Sequence, residues 1–135
     1  MMPRITAFYL ALAVVLVMLL TASVIARRFA ARAALGDNGD RILARRIRAH
    51  ANAVEYLPLA LLQLLVLELI LIAPLWLHVF GATLLLGRAL HAVGLSRSGG
   101  PGALRMGGMI LTLLAMVAMA VVLLYQSIMW WLTAI

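Results

Sequence analysis

The side chains with the most chemistry at close spacing lie in the stretch RRIRAHANAVEYLP, positions 45–58. Placed on a helix at about 100° per residue, Arg48, Asn52, Glu55 and Tyr56 share one arc of about 100°, with Arg41 and Arg45 on the same side. His50 and Val54 point elsewhere. A stripe holding a guanidinium, an amide, a carboxylate and a phenol suits a small zwitterionic ligand, held by charge-assisted hydrogen bonds. Arg48 and Glu55 can instead neutralise each other along the helix, but that pairing leaves Asn52 and Tyr56 unexplained. Pro58 removes one backbone hydrogen bond and frees the Val54 carbonyl, either as a simple kink or as an acceptor for a ligand amide.

A second polar face follows in GRALHAVGLSRS, positions 87–98, where Arg88, His91 and Leu95 stand at i, i+3 and i+7. The three histidines, His50, His78 and His91, lack metal-ligand spacing, so no metal is expected. GGPG at 99–102 lacks the Lys-Ser/Thr that completes a phosphate loop. With no cysteine, the sequence holds neither disulfides nor thiolate ligands of its own.

These polar groups interrupt a very apolar chain. Of its 135 residues, 67% are hydrophobic, and the mean hydropathy is +1.15, more apolar surface than a soluble domain of this size can hide. The fold class expected is all-α and integral to a membrane, one domain over 1–135 forming a four-transmembrane-helix bundle. Residues 5–26 carry no charge and are long enough to span the hydrocarbon. A signal peptide is the rival reading, but the run is long and arginines follow it instead of a small-residue cleavage site. Further spans are expected at 51–73, 75–95 and 103–132. GDNGD at 36–40 marks a turn, with Asp40, or alternatively Asp37, capping the next helix. APLW makes a tight turn between the second and third spans, and SRSGGPG at 96–102 breaks the chain before the fourth. Trp130 and Trp131 suit an interfacial anchor.

All eleven basic residues are arginine, against four acidic ones, for a net charge of +7. Seven fall between Arg27 and Arg48, while Arg88, Arg97 and Arg105 flank the 3–4 connection. By the positive-inside tendency both basic connections face the cytoplasm and both termini lie outside, with Arg4 dissenting mildly. Anionic lipid headgroups are adequate partners for the surplus charge. Without interleaved aromatics the basic residues do not make a nucleic-acid platform, so no nucleic acid is expected.

The stripe and the four spans together resemble the membrane-associated proteins in eicosanoid and glutathione metabolism, the MAPEG family, and most closely its small bacterial branch. RAHANAVEYLP (48–58) fits the family pattern R-x-x-x-N-x-x-E-[NY]-x-P at every position, and GRALHAVGLSRS takes the place of the family's arginine- and tyrosine-bearing third helix. The resemblance implies a homotrimer of four-helix subunits in the cell inner membrane, if the source is bacterial. It further implies glutathione, as co-substrate and without metal, bound between neighbours near the cytoplasmic face. Carried over, Arg48, Asn52, Glu55 and Tyr56 hold the tripeptide from one subunit, and Arg28 and His50 come from the adjacent one. Arg88 and His91 line the same site from the third helix. Arg105 sits where a family member has its thiolate-activating arginine, with Arg28 as the alternative. The reaction implied is transferase- or peroxidase-like, with an apolar small molecule or lipid hydroperoxide arriving from the bilayer. His91 and Leu95 stand where two tyrosines are expected, which weakens the match to the family's glutathione contacts.

Two other classes compete. A non-catalytic lipid-binding or scaffold protein of the same fold is one. The other is a small multidrug transporter, which needs a carboxylate in the first helix where this chain has none; Glu68 is the candidate substitute. Glu68 lies 13 residues beyond Glu55, or about 20 Å along a helix, at a depth where a hydrogen bond to His78 is expected.

Overall fold

The computed structural model describes residues 2–98, 100 and 102–134; Gly99 and Pro101 of the expected break lie outside the described residues. Four helices follow in order: α1 (Arg4–Ala31), α2 (Arg41–Leu69), α3 (Pro74–Arg97) and α4 (Ala103–Thr133). Each is long and apolar enough to cross a membrane. α2 and α3 form the centre and bury the larger share of their surface. α1 packs on α2 and α3, α4 on α3 and α2, and among the described residues α1 and α4 do not touch.

Several of the expected boundaries move, among them the end of the second span, which stops at Leu69 and not at 73. α1 continues past Ala26 to Ala31, carrying Arg27 and Arg28 on its last turns. It closes through Arg32 in the left-handed region at φ 49°, where the Ala33 N–H reaches back to the Arg28 carbonyl at 3.1 Å. α2 starts ten positions before its apolar run, so the arginines from Arg41 onward belong to the same rod as the span. Pro74 opens α3, where its missing N–H costs nothing. Pro58 lies within α2 without ending it.

The GDNGD turn works as its residues predict. Asn38 and Gly39 both have positive φ, and the Asp40 N–H donates to the Asp37 carbonyl at 2.9 Å, as a type I′ turn requires. Asp40, not Asp37, caps α2: its Oδ1 accepts from Leu43 N at 2.7 Å. The same carboxylate takes two hydrogen bonds from Arg27, at 3.2 and 2.6 Å, the sole ion pair among the described residues. Other arginines tie elements together through carbonyls. Arg46 donates to Ser23 O at 2.8 Å across to α1, and Arg45 to Arg97 O at 3.1 Å across to α3.

At the opposite end Glu68 does not bond His78. Its two carboxylate oxygens accept from the first-turn N–H groups of Ile5 and Thr6 at 2.9 and 2.7 Å. The first turn of α1 has N–H groups with no partner of their own, and a buried carboxylate from α2 satisfies two of them. His78 pairs instead with the Tyr9 hydroxyl at 3.2 Å. Tyr9 is seated against Gly81, where any side chain would strike its ring.

α3 and α4 approach most closely. A Cβ at Gly108 would collide with the His91 backbone nitrogen and the Gly87 carbonyl, and one at Gly87 would meet Thr112 and the Gly108 carbonyl. Small residues at this spacing let helix backbones come together inside a membrane. Gly108→Ala therefore forces a backbone shift, and we expect about 1–3 kcal/mol of destabilisation, read as a lower thermal unfolding midpoint in detergent.

A second expectation concerns acid. The Arg27 guanidinium beside Asp40, and then the Leu43 N–H, hold its carboxyl below the usual carboxylate range. Its contribution to stability is thus present above the ordinary value of about 3.9 and lost as pH falls through the lower folded value. Asp40→Asn keeps an oxygen for the cap but loses the ion pair. Its thermal midpoint should lie slightly below wild type at neutral pH, and the gap should close below about pH 4.

Candidate functional site

The expected stripe lies on the outer side of α2, one helix layer in front of a buried cation. Arg48 and Glu55 are exposed, Asn52 and Tyr56 half-buried. Arg48 and Glu55 do not pair: among the described residues neither side chain has an ion-pair partner. The Asn52 amide donates to the Arg48 carbonyl at 3.2 Å, one turn back.

Behind the stripe stands Arg88, only 1% exposed. Its Nε donates to Thr112 Oγ1 at 2.7 Å, and that hydroxyl donates onward to the Gly108 carbonyl at 2.9 Å. One terminal nitrogen reaches the Met109 sulfur at 3.3 Å and the other the Asn52 carbonyl at 3.5 Å. The guanidinium carbon lies 4.8 Å from the centre of the Tyr56 ring, a cation–π contact. Every partner is neutral. A buried guanidinium inside a membrane helix bundle usually meets a carboxylate or faces a wet cavity, and here no carboxylate answers it among the described residues.

His91 lies one turn further along α3, 5% exposed. Its Nδ1 is 2.9 Å from the Arg105 carbonyl, while Nε2 is buried and unpartnered among the described residues. Arg105 stands half-buried in the first turn of α4. Thus Tyr56, Arg88, His91 and Arg105 occupy one end of the bundle on three helices, with Asn52 at their edge. Leu95 is buried in the same region against Ala49 and Ala92.

The remaining expected residues sit apart. Arg28 spends its Nη1 on the Ala33 and Gly36 carbonyls, at 3.4 and 3.0 Å, and so closes the loop after α1. It lines a surface hollow of about 480 Å³ with Phe29 and Arg32. His50 is half-buried, off the stripe. Among the described residues no hydrogen bond or ion pair joins Arg28 or His50 to the Arg88 cluster within one chain. The described residues also hold no group of three potential metal ligands.

Sequence reasoning missed Thr112 and Gly108, which make the Arg88 site possible. The signal was present: GMILT at 108–112 is a small-x-x-x-small spacing, matched by Gly87 and Gly94 on α3.

The chain matches the MAPEG family over residues 6–125, which runs from the first turns of α1 well into α4 and takes in every residue of the cluster. It belongs to that family. Over 90 residues it is 37% identical to the inner membrane protein YecN of Escherichia coli strain K12, a match covering 67% of this chain and 69% of the relative. The YecN of Escherichia coli O6:H1 matches to the same extent. The chain is therefore a MAPEG-family membrane protein with four helices long enough to span.

The neutral surroundings of Arg88 yield an expectation with an unusual sign. Replacing an uncompensated buried charge by an apolar side chain of similar length is often neutral or stabilising. Arg88→Met should keep or raise the thermal midpoint while weakening binding of an anionic ligand at the stripe about tenfold or more, the scale of one screened charge a few ångströms away. A midpoint several degrees lower would show that Arg88 is held for structure alone.

Proposed function

We propose that this protein is a membrane-embedded, glutathione-dependent transferase or peroxidase acting on apolar electrophiles or lipid hydroperoxides. The observation that carries this reading is the Arg88 guanidinium, buried behind Tyr56 and Asn52 with only neutral partners. A site so built is short of one negative charge, and a ligand anion supplies it. In front stand an exposed guanidinium, Arg48, and an exposed carboxylate, Glu55. A tripeptide with separate carboxylates and an ammonium is complementary to that pattern: Arg48 takes a carboxylate, Glu55 the amino group, and Asn52 and Tyr56 a backbone amide or carbonyl.

The chemistry asked of the site is ionisation of a thiol. A free thiol has a pKa near 8.5 and is mostly protonated at neutral pH, whereas the thiolate is the nucleophile. A guanidinium within about 4–6 Å lowers the pKa of a neighbouring acid by roughly 1–3. Arg105 is assigned this role, and Arg28 serves from the adjacent subunit if the loop after α1 reaches across. The electrophile enters from the bilayer along the helix faces.

Three features support a homotrimer. Arg48 and Glu55 are exposed on a span-forming helix, where acyl chains are poor neighbours for charge. Arg28 and His50 lie away from the cluster of their own chain, as contributors to a neighbour's site should. The faces of α1 and α4 carry many exposed large apolar residues. We place the protein in the inner membrane, as the name of YecN suggests for that relative. The arginine-rich ends then face the cytoplasm and both termini the outside.

Titration calorimetry of the detergent-solubilised protein with glutathione tests the assignment. Wild type should release heat at a saturable site, and the Arg48→Ala, Glu55→Ala double variant should not. Arg105→Ala should still bind glutathione but lose the ultraviolet thiolate absorbance that wild type develops on binding. Equal heats in wild type and the double variant would remove the stripe from ligand recognition.

A further inference from the structure

Roughly a quarter turn round α3 from Arg88, the helix meets α1 across a groove of about 300 Å³. Leu16 and Leu20 of α1 wall it on one side, and Ala89, Ala92 and Val93 of α3 on the other. The groove exists because α3 presents alanines where α1 presents leucines. Ala89, Ala92, Val93 and Ser96 stand at i, i+3, i+4 and i+7, one face of the helix. Ala92 is the floor, only 4% exposed, and it shares a packed cluster with Ala49 of α2 and with Leu20, so α2 backs the groove.

At the arginine-rich end of the bundle the lining changes character. Ser96 and the exposed Arg97 complete it, in the last turn of α3. Two arginines of α2 border the same corner through carbonyls of both walls. Arg45 donates to Arg97 O at 3.1 Å, and Arg46 donates to Ser23 O at 2.8 Å, just past Leu20 on α1. No acid of the protein answers this charge. Of the four in the chain, Asp37 bonds Gly39 N within its own turn and Asp40 holds Arg27. Glu68 caps α1 at the opposite end, and Glu55 is exposed on the stripe. Among the described residues neither the Arg97 guanidinium nor the Ser96 hydroxyl has a hydrogen-bond or ion-pair partner.

We propose that this groove binds an anionic phospholipid, with an acyl chain along Leu16, Leu20 and Val93 over the Ala92 floor and the phosphate on Arg97 and Ser96. Ligand sites are mostly apolar with a few placed polar groups, and basic pockets between spans take acidic headgroups. A soluble phosphate would satisfy Arg97 but leave the apolar trough unfilled. A zwitterionic lipid brings an ammonium of its own into a corner that already holds three arginines and no acid. None of the residues in contact with the lipid is assigned to glutathione, so this site and the thiol reading stand or fall separately.

The experiment is native mass spectrometry of the full chain in detergent, titrated with phosphatidylglycerol, with phosphatidylcholine of the same acyl chains, or with glycerol phosphate. Wild type should retain phosphatidylglycerol at a saturable site, about fivefold or more in preference to phosphatidylcholine, the scale of one arginine beside an acidic headgroup. It should not retain glycerol phosphate. Arg97→Gln should lose the preference between the two lipids. Ala89→Leu fills the groove and leaves the charge, and it should weaken retention of both. Arg32→Gln removes an exposed arginine outside the groove and should behave as wild type. Arg97 is exposed and Ala89 half-buried, so these variants should keep the wild-type helix content by circular dichroism. Equal retention of the two lipids by wild type overturns the proposal, as does glycerol phosphate bound as tightly as phosphatidylglycerol. It is also overturned if Arg97→Gln or Ala89→Leu retains lipid as wild type does, or if Arg32→Gln loses as much as Arg97→Gln, the mark of diffuse attraction. A change in the number of copies per assembly in Ala89→Leu, with lipid retention unaltered, would assign the groove to a second copy of the chain instead.

Discussion

A cation without a countercharge, held between helices in a medium that solvates charge poorly, is the constraint on which this bundle turns. Desolvating a guanidinium costs several kcal/mol after relaxation, and mutual attraction to a carboxylate is the usual compensation. Arg88 has instead a hydroxyl, a thioether, a backbone carbonyl and the face of a phenol. The two on α4, Thr112 and Met109, are brought close where α3 and α4 touch backbone to backbone at Gly87 and Gly108. Thr112 has a short side chain, and at ordinary interhelical distance its hydroxyl would not meet Arg88. The glycine seam and the buried charge are therefore one feature, and a residue that widens the seam also strands the charge.

The four acids show how the remaining electrostatics is arranged. Asp37 closes its own turn by accepting from Gly39 N at 3.0 Å. Asp40 caps α2 and holds Arg27. Glu68 caps α1 from the far end of α2. Three carboxylates are thus consumed by helix ends and turns. Glu55 is the fourth, exposed on the stripe and without an ion-pair partner among the described residues. One helix layer separates an uncompensated anion in front from an uncompensated cation behind. If stability alone governed the placement, the two would meet. On the proposed reading, a ligand that carries both signs answers the two.

Much of this was legible in the sequence, and the rest was hidden for definable reasons. Periodicity and hydropathy located four spans, because a helix that crosses hydrocarbon must be apolar over a known length. Asn38-Gly39 announced the turn through their tolerance of positive φ, and Asp40 announced the cap. The family motif singled out residues 48–58. Helix ends near arginines were misjudged, because the rod does not stop where its apolar part stops: α1 runs on to Ala31 and α2 begins at Arg41. The Glu68–His78 bond failed for a different reason. Depth along two adjacent helices was estimated correctly enough, but a third helix offered free N–H groups at the same level, and these took the carboxylate. Pairing across helices depends on which neighbour intervenes, and spacing within one helix carries no record of that. The same limit hid Thr112 as the partner of Arg88.

The placement of charge also bears on why α2 is the central element. It begins with arginines that bond carbonyls of α1 and α3, passes through the stripe, and ends in the carboxylate that caps α1. A displacement of α2 along its axis would break contacts at both ends together, so the helix is fixed in depth by polar groups while its middle is held by close apolar packing around Leu57, Ala60 and Leu64. Apolar packing in a bilayer is tolerant of sliding, since lipid replaces protein contacts at little cost. Polar contacts at the two ends are not. The stripe therefore keeps a constant level relative to Arg88 and Arg105, and it is this level, more than the composition of the stripe, that lets three helices present charges to one small volume.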